Sequence, residues 1–154
     1  MSELQVAVIM GSESDREVME ACIGELEKLG LKSELKVSSA HRNPEATKQY
    51  VAEAIERGAG VFIAGAGMSA ALPGFVASLT TRPVIGVPIA SGLPGGIDSL
   101  LSIVQMPPGI PVATVAVGRA GARNAAILAA EILSLQDDSI TTSLEKMRQA
   151  WRSR

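Results

Sequence analysis

Cysteine, histidine and aromatic residues are scarce in this 154-residue sequence, which contains one cysteine, one histidine and 3% aromatic residues. A single cysteine cannot form an intramolecular disulfide, and this fits a reducing cytoplasm. One histidine and one cysteine are too few for a conventional zinc site, so the sequence predicts no metal centre of that kind.

Excess charge and long apolar runs are also missing. The 14 Lys and Arg residues nearly balance the 16 Asp and Glu residues, and the net charge of -2 gives no electrostatic footprint for nucleic acid or an anionic membrane. No apolar run approaches the roughly 20 residues that span a bilayer, and residues 1–5 are acidic where a signal peptide is basic. We therefore expect a cytoplasmic protein with neither a nucleic-acid nor a membrane partner.

The sequence is nevertheless rich in small aliphatic residues. Hydrophobic residues make up 47% of the chain against 19% charged residues, which excludes disorder. The length fits one domain over residues 1–154, since domains usually contain roughly 100–200 residues. A small domain this apolar often buries part of its surface in an oligomer, which we favour over a monomer with a well-filled core.

Short apolar runs alternate with longer amphipathic segments along the chain. The short runs predict β-strands at residues 5–10, 32–37, 60–64, 83–87 and 112–117. Apolar residues at helical spacing predict helices at residues 17–29, 44–57, 72–79, 96–104, 120–135 and 139–151. Such alternation implies right-handed crossovers and a parallel sheet covered by helices on both faces. Five strands at this length favour the three-layer, doubly wound flavodoxin-like α/β fold, with strand order 2-1-3-4-5 and an extra C-terminal helix.

Three loops are expected at the carboxyl ends of the strands, where sheets of this type bind their ligands. The first follows strand one and contains Ser12, Ser14 and Asp15 ahead of a helix. Hydroxyl groups and a helix N-terminus suit an anion such as phosphate, although Ser and Asp are equally typical of an ordinary N-cap. The loop lacks the lysine of a P-loop and the spacing of a dinucleotide fingerprint, which disfavours ATP and NAD.

The second loop follows strand two and contains His41, the one histidine of the sequence, beside Arg42. A histidine can exchange protons near neutral pH, and an arginine can hold phosphate through its planar guanidinium. The alternative is a surface His-Arg pair without function. The helix start that Asn43 and Pro44 predict directly after the pair favours a site.

The third loop, residues 64–74, follows strand three and is rich in Gly and Ala. Its glycines allow backbone amides to approach a ligand, although Gly and Ala also serve tight packing of a helix on a strand. Cys22 falls on the apolar face of the first predicted helix, which favours a buried inert thiol over a nucleophile. The sequence therefore points to a pocket without a cofactor, containing one histidine, for a phosphorylated small molecule.

The segments SAHRNP at residues 39–44, AGAG at 64–67 and SIVQMP at 102–107 resemble the N5-carboxyaminoimidazole ribonucleotide mutase family of de novo purine biosynthesis. The resemblance extends over residues 6–135 and includes MGSESD at residues 10–15. It implies a flavodoxin-like subunit, a homo-octamer, and an enzyme with neither a metal nor an organic cofactor. The implied reaction moves a carboxyl group from N5 to C4 of an aminoimidazole ribonucleotide.

The resemblance also implies roles for individual residues. His41 would be the catalytic acid and base, which protonates the exocyclic nitrogen as CO2 leaves and then removes the C4 proton. The substrate-binding residues would be Ser14, Ser39 and Arg42 at the 5′-phosphate, Asp15 at the ribose, Ser12 at the substrate carboxylate, and Gly67, Met68, Ser69 and Leu72 at the base.

One position departs from the family pattern. Bacterial mutases have a histidine where this sequence has Ala71, and Ser69 is similar to the related aminoimidazole ribonucleotide carboxylases, which use free CO2. Arg42 and residues 102–107 follow the mutases, so we favour the mutase, an isomerase, over the carboxylase, a lyase. A non-catalytic module that binds nucleotide phosphates on the same fold is a third alternative.

Overall fold

The structure, a computed structural model, describes residues 3–154 and places a parallel β-sheet between two layers of helices. Met1 and Ser2, part of the segment in which no signal peptide is expected, lie outside the described residues. The strands are β1 (Val6–Met10), β2 (Ser33–Val37), β3 (Val61–Gly67), β4 (Val84–Ile89) and β5 (Ala113–Thr114). The helices are α1 (Arg16–Lys28), α2 (Pro44–Glu56), α3 (Leu72–Leu79), α4 (Ile97–Val104), α5 (Arg119–Ser134) and α6 (Asp138–Arg152).

All neighbouring strands run parallel, and their order in the sheet is β2-β1-β3-β4-β5. Each strand is followed by a helix, and α6 is the extra helix at the C-terminal end. These findings confirm the predicted flavodoxin-like α/β fold, its strand order 2-1-3-4-5 and its additional helix.

The core lies on both faces of the sheet, because successive residues of a strand point to opposite faces. Val6, Val8 and Met10 of β1 pack with the layer that contains α1, α5 and α6. Ala7 and Ile9 pack with the layer that contains α2 and α3. All five side chains are fully buried, as expected for a parallel sheet with helices on both faces.

Every strand differs from its predicted range at one end or both; β4, predicted over residues 83–87, is Val84–Ile89, and β3 and β5 differ most in length. β3, predicted to end at residue 64, continues to Gly67 because it pairs with β1 on one side and with β4 on the other. β5, predicted over residues 112–117, contains only Ala113–Thr114. Pro88 of β4 has no N–H group to donate to a longer β5, so the ladder ends there.

Two local predictions are confirmed, namely the cap at the start of α2 and the burial of Cys22. The side chain of Asn43 caps α2 by accepting a hydrogen bond from the Ala46 N–H at 3.1 Å, and Pro44 is the first helical residue. Cys22 lies on the buried face of α1, and burial raises the pKa of its thiol to about 12. Within residues 3–154, no helix is both long enough and apolar enough to span a membrane.

Candidate active site

A cleft of about 500 Å³ lies at the carboxyl edge of the sheet, between the loops that follow β1, β2, β3 and β4. This is the edge at which doubly wound sheets bind their ligands. The cleft is lined by all ten candidate residues, namely Ser12, Ser14, Asp15, Ser39, His41, Arg42, Gly67, Met68, Ser69 and Leu72. The fold thus brings together side chains that were predicted from three separate segments of the sequence.

The loop after β1 is a single 3-10 turn, Glu13–Asp15, held by its own side chains. The Ser12 Oγ accepts hydrogen bonds from the Ser14 N–H at 3.3 Å and from the Ser14 hydroxyl at 3.0 Å. The Ser12 N–H in turn donates to Asp15 Oδ2 at 3.2 Å, which completes a reciprocal cap. Because Ser12 Oγ accepts two bonds here, its own hydroxyl proton is free to point at an anion in the cleft.

Asp15 is the one buried carboxylate of the cleft, with 4% of its surface exposed. Burial raises the pKa of this carboxyl group, and the hydrogen bond from the Ser12 N–H acts in the opposite direction. A carboxylate held this way is an acceptor-only group with lone pairs left for a ligand that carries hydroxyl groups.

The loop after β2 has a fixed backbone and exposed side chains. Ser39 Oγ accepts a hydrogen bond from the Arg42 N–H at 3.2 Å, and the Asn43 N–H donates to the Ser39 carbonyl at 2.9 Å. Behind this turn, the buried hydroxyls of Ser38 and Thr47 lie 2.6 Å apart. The imidazole of His41 and the guanidinium of Arg42 therefore extend into the cleft from a rigid base.

The loop after β3 is tight and strained. Gly67 lies close to the end of β4 and the loop after it, because a Cβ there would overlap Ser91 Oγ and lie 3.1 Å from the Ile89 carbonyl oxygen. Met68 adopts a left-handed backbone conformation with φ of 55°, which is uncommon for a residue other than glycine, and its side chain is 61% exposed. The turn closes with a 3.0 Å hydrogen bond from the Ala70 N–H to the Gly67 carbonyl, and α3 then begins at Leu72.

Ser91 lines the cleft but is absent from the set of residues predicted from the sequence. It follows β4, so the rule that ligands bind at the carboxyl ends of the strands could have found it. Ser91 lies in the Gly-rich segment 90–96, whose composition between a strand and a helix is typical of a functional loop but does not single out one side chain.

The cleft combines four kinds of group: hydroxyls, one buried carboxylate, one guanidinium and one imidazole. Arg42 and the serines suit an anion such as phosphate, Asp15 suits hydroxyl groups, and His41 can give and take a proton. Among residues 3–154, no three His, Cys, Asp or Glu side chains are grouped closely enough to hold a metal ion.

Comparison with known proteins shows similarity over nearly the whole chain. The family model described as AIR carboxylase matches residues 5–154. The N5-carboxyaminoimidazole ribonucleotide mutase of Saccharolobus solfataricus is 53% identical over 149 residues, which cover 97% of this chain and 93% of that protein. The mutase of Pyrococcus abyssi is 55% identical over 145 residues, covering 94% and 82%. The crystal structure of Treponema denticola PurE has a TM-score of 0.84 at 30% identity, and the match covers 97% of this chain and 92% of that chain.

Proposed function

Because the chain belongs to the AIR carboxylase family, we propose that it is an enzyme of de novo purine biosynthesis that converts N5-carboxyaminoimidazole ribonucleotide into 4-carboxyaminoimidazole ribonucleotide. Relatives that are more than half identical to it are named as mutases for that substrate. The observation that carries the proposal is that His41, the single histidine of the sequence, shares one cleft with Arg42 and residues 12–15.

Binding is the first task of the cleft. The 5′-phosphate is held by the guanidinium of Arg42 and the hydroxyl of Ser39, since planar guanidinium groups match phosphate oxygens. The Ser14 hydroxyl joins them when its proton turns from Ser12 Oγ to the phosphate. Ser39 already accepts the Arg42 N–H, so its own proton remains to be donated. Asp15 accepts hydrogen bonds from the ribose hydroxyls, and the free proton of Ser12 reaches the substrate carboxylate.

Proton transfer by His41 divides the reaction into two steps. In the first step the N5–carboxyl bond breaks, CO2 forms, and the imidazolium of His41 gives its proton to the exocyclic nitrogen. In the second step C4 of the ring attacks CO2, and the now neutral imidazole removes the C4 proton. The imidazolium is restored, so one histidine serves first as acid and then as base.

Retention of CO2 is the third task, and Gly67, Met68, Ser69 and Leu72 carry it out by covering the base. CO2 held beside C4 reacts as if the step were unimolecular, which avoids recapture from solvent. The exposed Met68 side chain is flexible and apolar, which suits it to fill the space that Ala71 leaves where bacterial mutases have a histidine.

The assembly and location of the enzyme follow from the same proposal. We propose a single-domain subunit that acts as a homo-octamer in the cytoplasm with neither metal nor organic cofactor. The oligomer is supported by Ile97, Leu101 and Val104 of α4, whose apolar side chains are exposed in the single subunit.

The reaction is tested by supplying two substrates in separate assays, the N5-carboxy compound and unmodified aminoimidazole ribonucleotide. Each assay contains isotopically labelled bicarbonate in the buffer. The enzyme should convert the N5-carboxy compound without ATP and with little label in the product, because its CO2 comes from the substrate. Rapid turnover of unmodified aminoimidazole ribonucleotide with bicarbonate, and none of the N5-carboxy compound, would instead identify the carboxylase. Turnover of neither, with ribonucleotide binding retained, would identify a binding module.

A further inference from the structure

Asp98 lies in the first turn of α4 and is hydrogen-bonded backward to the loop that precedes the helix. Its Oδ2 accepts a hydrogen bond from the Leu93 N–H at 3.2 Å, across five residues. Its Oδ1 is buried, and no donor among residues 3–154 lies within hydrogen-bond distance of that atom. A buried oxygen without a partner is uncommon in folded proteins and requires an explanation.

The carboxylate of Asp98 also packs directly against the loop after β4, which in turn contacts the loop after β3. Gly92 lies close to both side chains, because a Cβ there would overlap Asp98 Oδ2 and lie 3.3 Å from Met68 Cγ. One residue earlier, Ser91 lies over Gly67, where a Cβ would overlap its Oγ. Asp98 thus supports a stack in which the loop after β4 presses on the loop after β3.

These contacts are more than a helix cap requires. An acidic residue in the first turn interacts favourably with the helix dipole wherever its side chain points. Asp138 holds the same kind of position in α6, and it is exposed to solvent. The carboxylate of Asp98 is instead turned inward, with one oxygen on the Leu93 N–H and the other left without a donor.

We propose that Asp98 is a positioning residue that holds the loop after β4 against Met68, and thereby keeps closed the side of the cleft that retains CO2. This inference rests on the proposed function, because it assigns a role in retaining the CO2 released there. Asp98 touches neither substrate nor the reacting atoms in this role, and it acts through Ser91, Gly92 and Met68.

The test measures how the N5-carboxy substrate divides between two products. Carboxyl transfer gives the 4-carboxy compound, whereas escape of CO2 after the N5–carboxyl bond breaks and His41 has protonated the exocyclic nitrogen leaves the neutral amine, which is aminoimidazole ribonucleotide. Both are separated by chromatography, and a blank without enzyme is subtracted. Asp98→Ala should raise the share of the decarboxylated product and lower kcat, each by about tenfold, while KM changes by less than about twofold, because the phosphate and ribose contacts remain.

Two variants separate this role from a general effect on α4. Asp98→Asn keeps an acceptor for the Leu93 N–H and should retain the product ratio of the wild type. Asp138→Ala removes a first-turn carboxylate far from the cleft, and it should change neither the ratio nor kcat. Both residues have a hydroxyl four positions on that bonds their carbonyl, Ser102 at 2.7 Å and Thr142 at 3.1 Å, so the two alanine variants are closely matched.

Gly92→Ala disturbs the same contact between Gly92 and Asp98 from the loop side, and it keeps the carboxylate. It therefore tests the proposal even if Asp98→Ala does not fold. It should shift the product ratio in the same direction. A wild-type ratio in a folded Asp98→Ala or in Gly92→Ala, or a shift in Asp98→Asn as large as in Asp98→Ala, would overturn the role of Asp98 alone. Absence of any turnover in the wild type would overturn the proposed function and this inference together.

Discussion

His41 lies on a turn whose backbone is fixed by Ser39 while its imidazole is exposed. An exposed side chain contributes little to folding, so its replacement should separate catalysis from stability. His41→Asn should lower kcat by roughly 10²–10⁴-fold, the usual contribution of acid–base catalysis, and leave thermal unfolding unchanged. Steady-state kinetics and a melting curve on the same preparation check this. A variant with nearly normal kcat would remove His41 from the mechanism.

Asp15 gives a prediction in which stability and binding move in opposite directions. Burial raises the pKa of this carboxyl in the folded protein, so the folded state holds the proton more tightly than the unfolded state does. The stability this provides is complete below the unfolded pKa of about 4 and is lost as the pH rises through the raised, folded value. At neutral pH the buried charge therefore lowers the free energy of unfolding.

Asp15→Asn keeps an acceptor for the Ser12 N–H and removes the charge. The variant should be more stable than the wild type to urea at pH 7, and the difference should shrink as the pH falls toward about 4. Its affinity for the ribonucleotide, measured by calorimetry, should drop by about 1.5–3 kcal/mol, because a hydrogen bond to a charged group is lost. A stability difference that does not vary with pH would contradict the assignment.

The sequence could predict side chains with distinctive chemistry and not those that act through packing. His41 and Arg42 are recognisable because imidazole and guanidinium groups have few equivalents. The left-handed backbone of Met68 and the inward carboxylate of Asp98 depend on contacts with the loop after β4. Met68 and Gly92 are 24 positions apart, and the hydrogen bond from Leu93 to Asp98 spans five residues, so neither contact shows in the apolar spacing of one element.

At the scale of elements, two helical glycines that look alike in sequence have opposite surroundings. A Cβ on Gly121 of α5 would overlap the carbonyl oxygen of Ala116, whereas a Cβ on Gly24 of α1 would have no atom of residues 3–154 within 4 Å beyond its own helix turn. Gly121→Ala should cost about 1–3 kcal/mol of the free energy of unfolding, since the backbone must move. Gly24→Ala should raise the free energy of unfolding by about 0.5–1 kcal/mol, because alanine reduces the conformational entropy of the unfolded chain. Urea titrations of both variants measure the contrast, and equal signs would refute it.

Contacts between elements also explain which parts of the fold the sequence could predict. Apolar periodicity indicated every helix and strand, and the predicted helix over residues 72–79 coincides with α3. Strand ends were less accurate, because a ladder continues only while a neighbour pairs with it. β3 has neighbours on both sides and is longer than predicted, whereas β5 has only β4, where Pro88 removes a donor.

At the scale of the whole molecule, α4 is apolar on two faces. Ile103 is fully buried against the sheet, whereas Ile97, Leu101 and Val104, spaced four and three residues apart, are 43–53% exposed on the outer face. A helix with apolar side chains on two faces normally buries both of them, so this outer face is expected to contact another subunit.

Leu101→Glu should therefore reduce the size of the assembly in light scattering after gel filtration, because it places a charge in that contact. Leu135→Glu is the matched control, since Leu135 is an 84% exposed leucine beyond the end of α5, and it should leave the assembly intact. An unchanged assembly in Leu101→Glu would show that α4 is not part of the interface.

The rate at which the buried thiol of Cys22 is alkylated measures how often α1 opens away from the sheet. Its burial and its raised pKa protect it from alkylating reagents, so labelling of the folded protein must wait until α1 lifts from the sheet. α1 begins directly after residues 12–15, which the substrate phosphate and ribose are expected to hold closed. A bound ribonucleotide should then slow alkylation by the factor 1 + [L]/Kd. The alkylation rate of the Cys22 sulfur therefore measures how much of the protein has ligand bound, without an added dye.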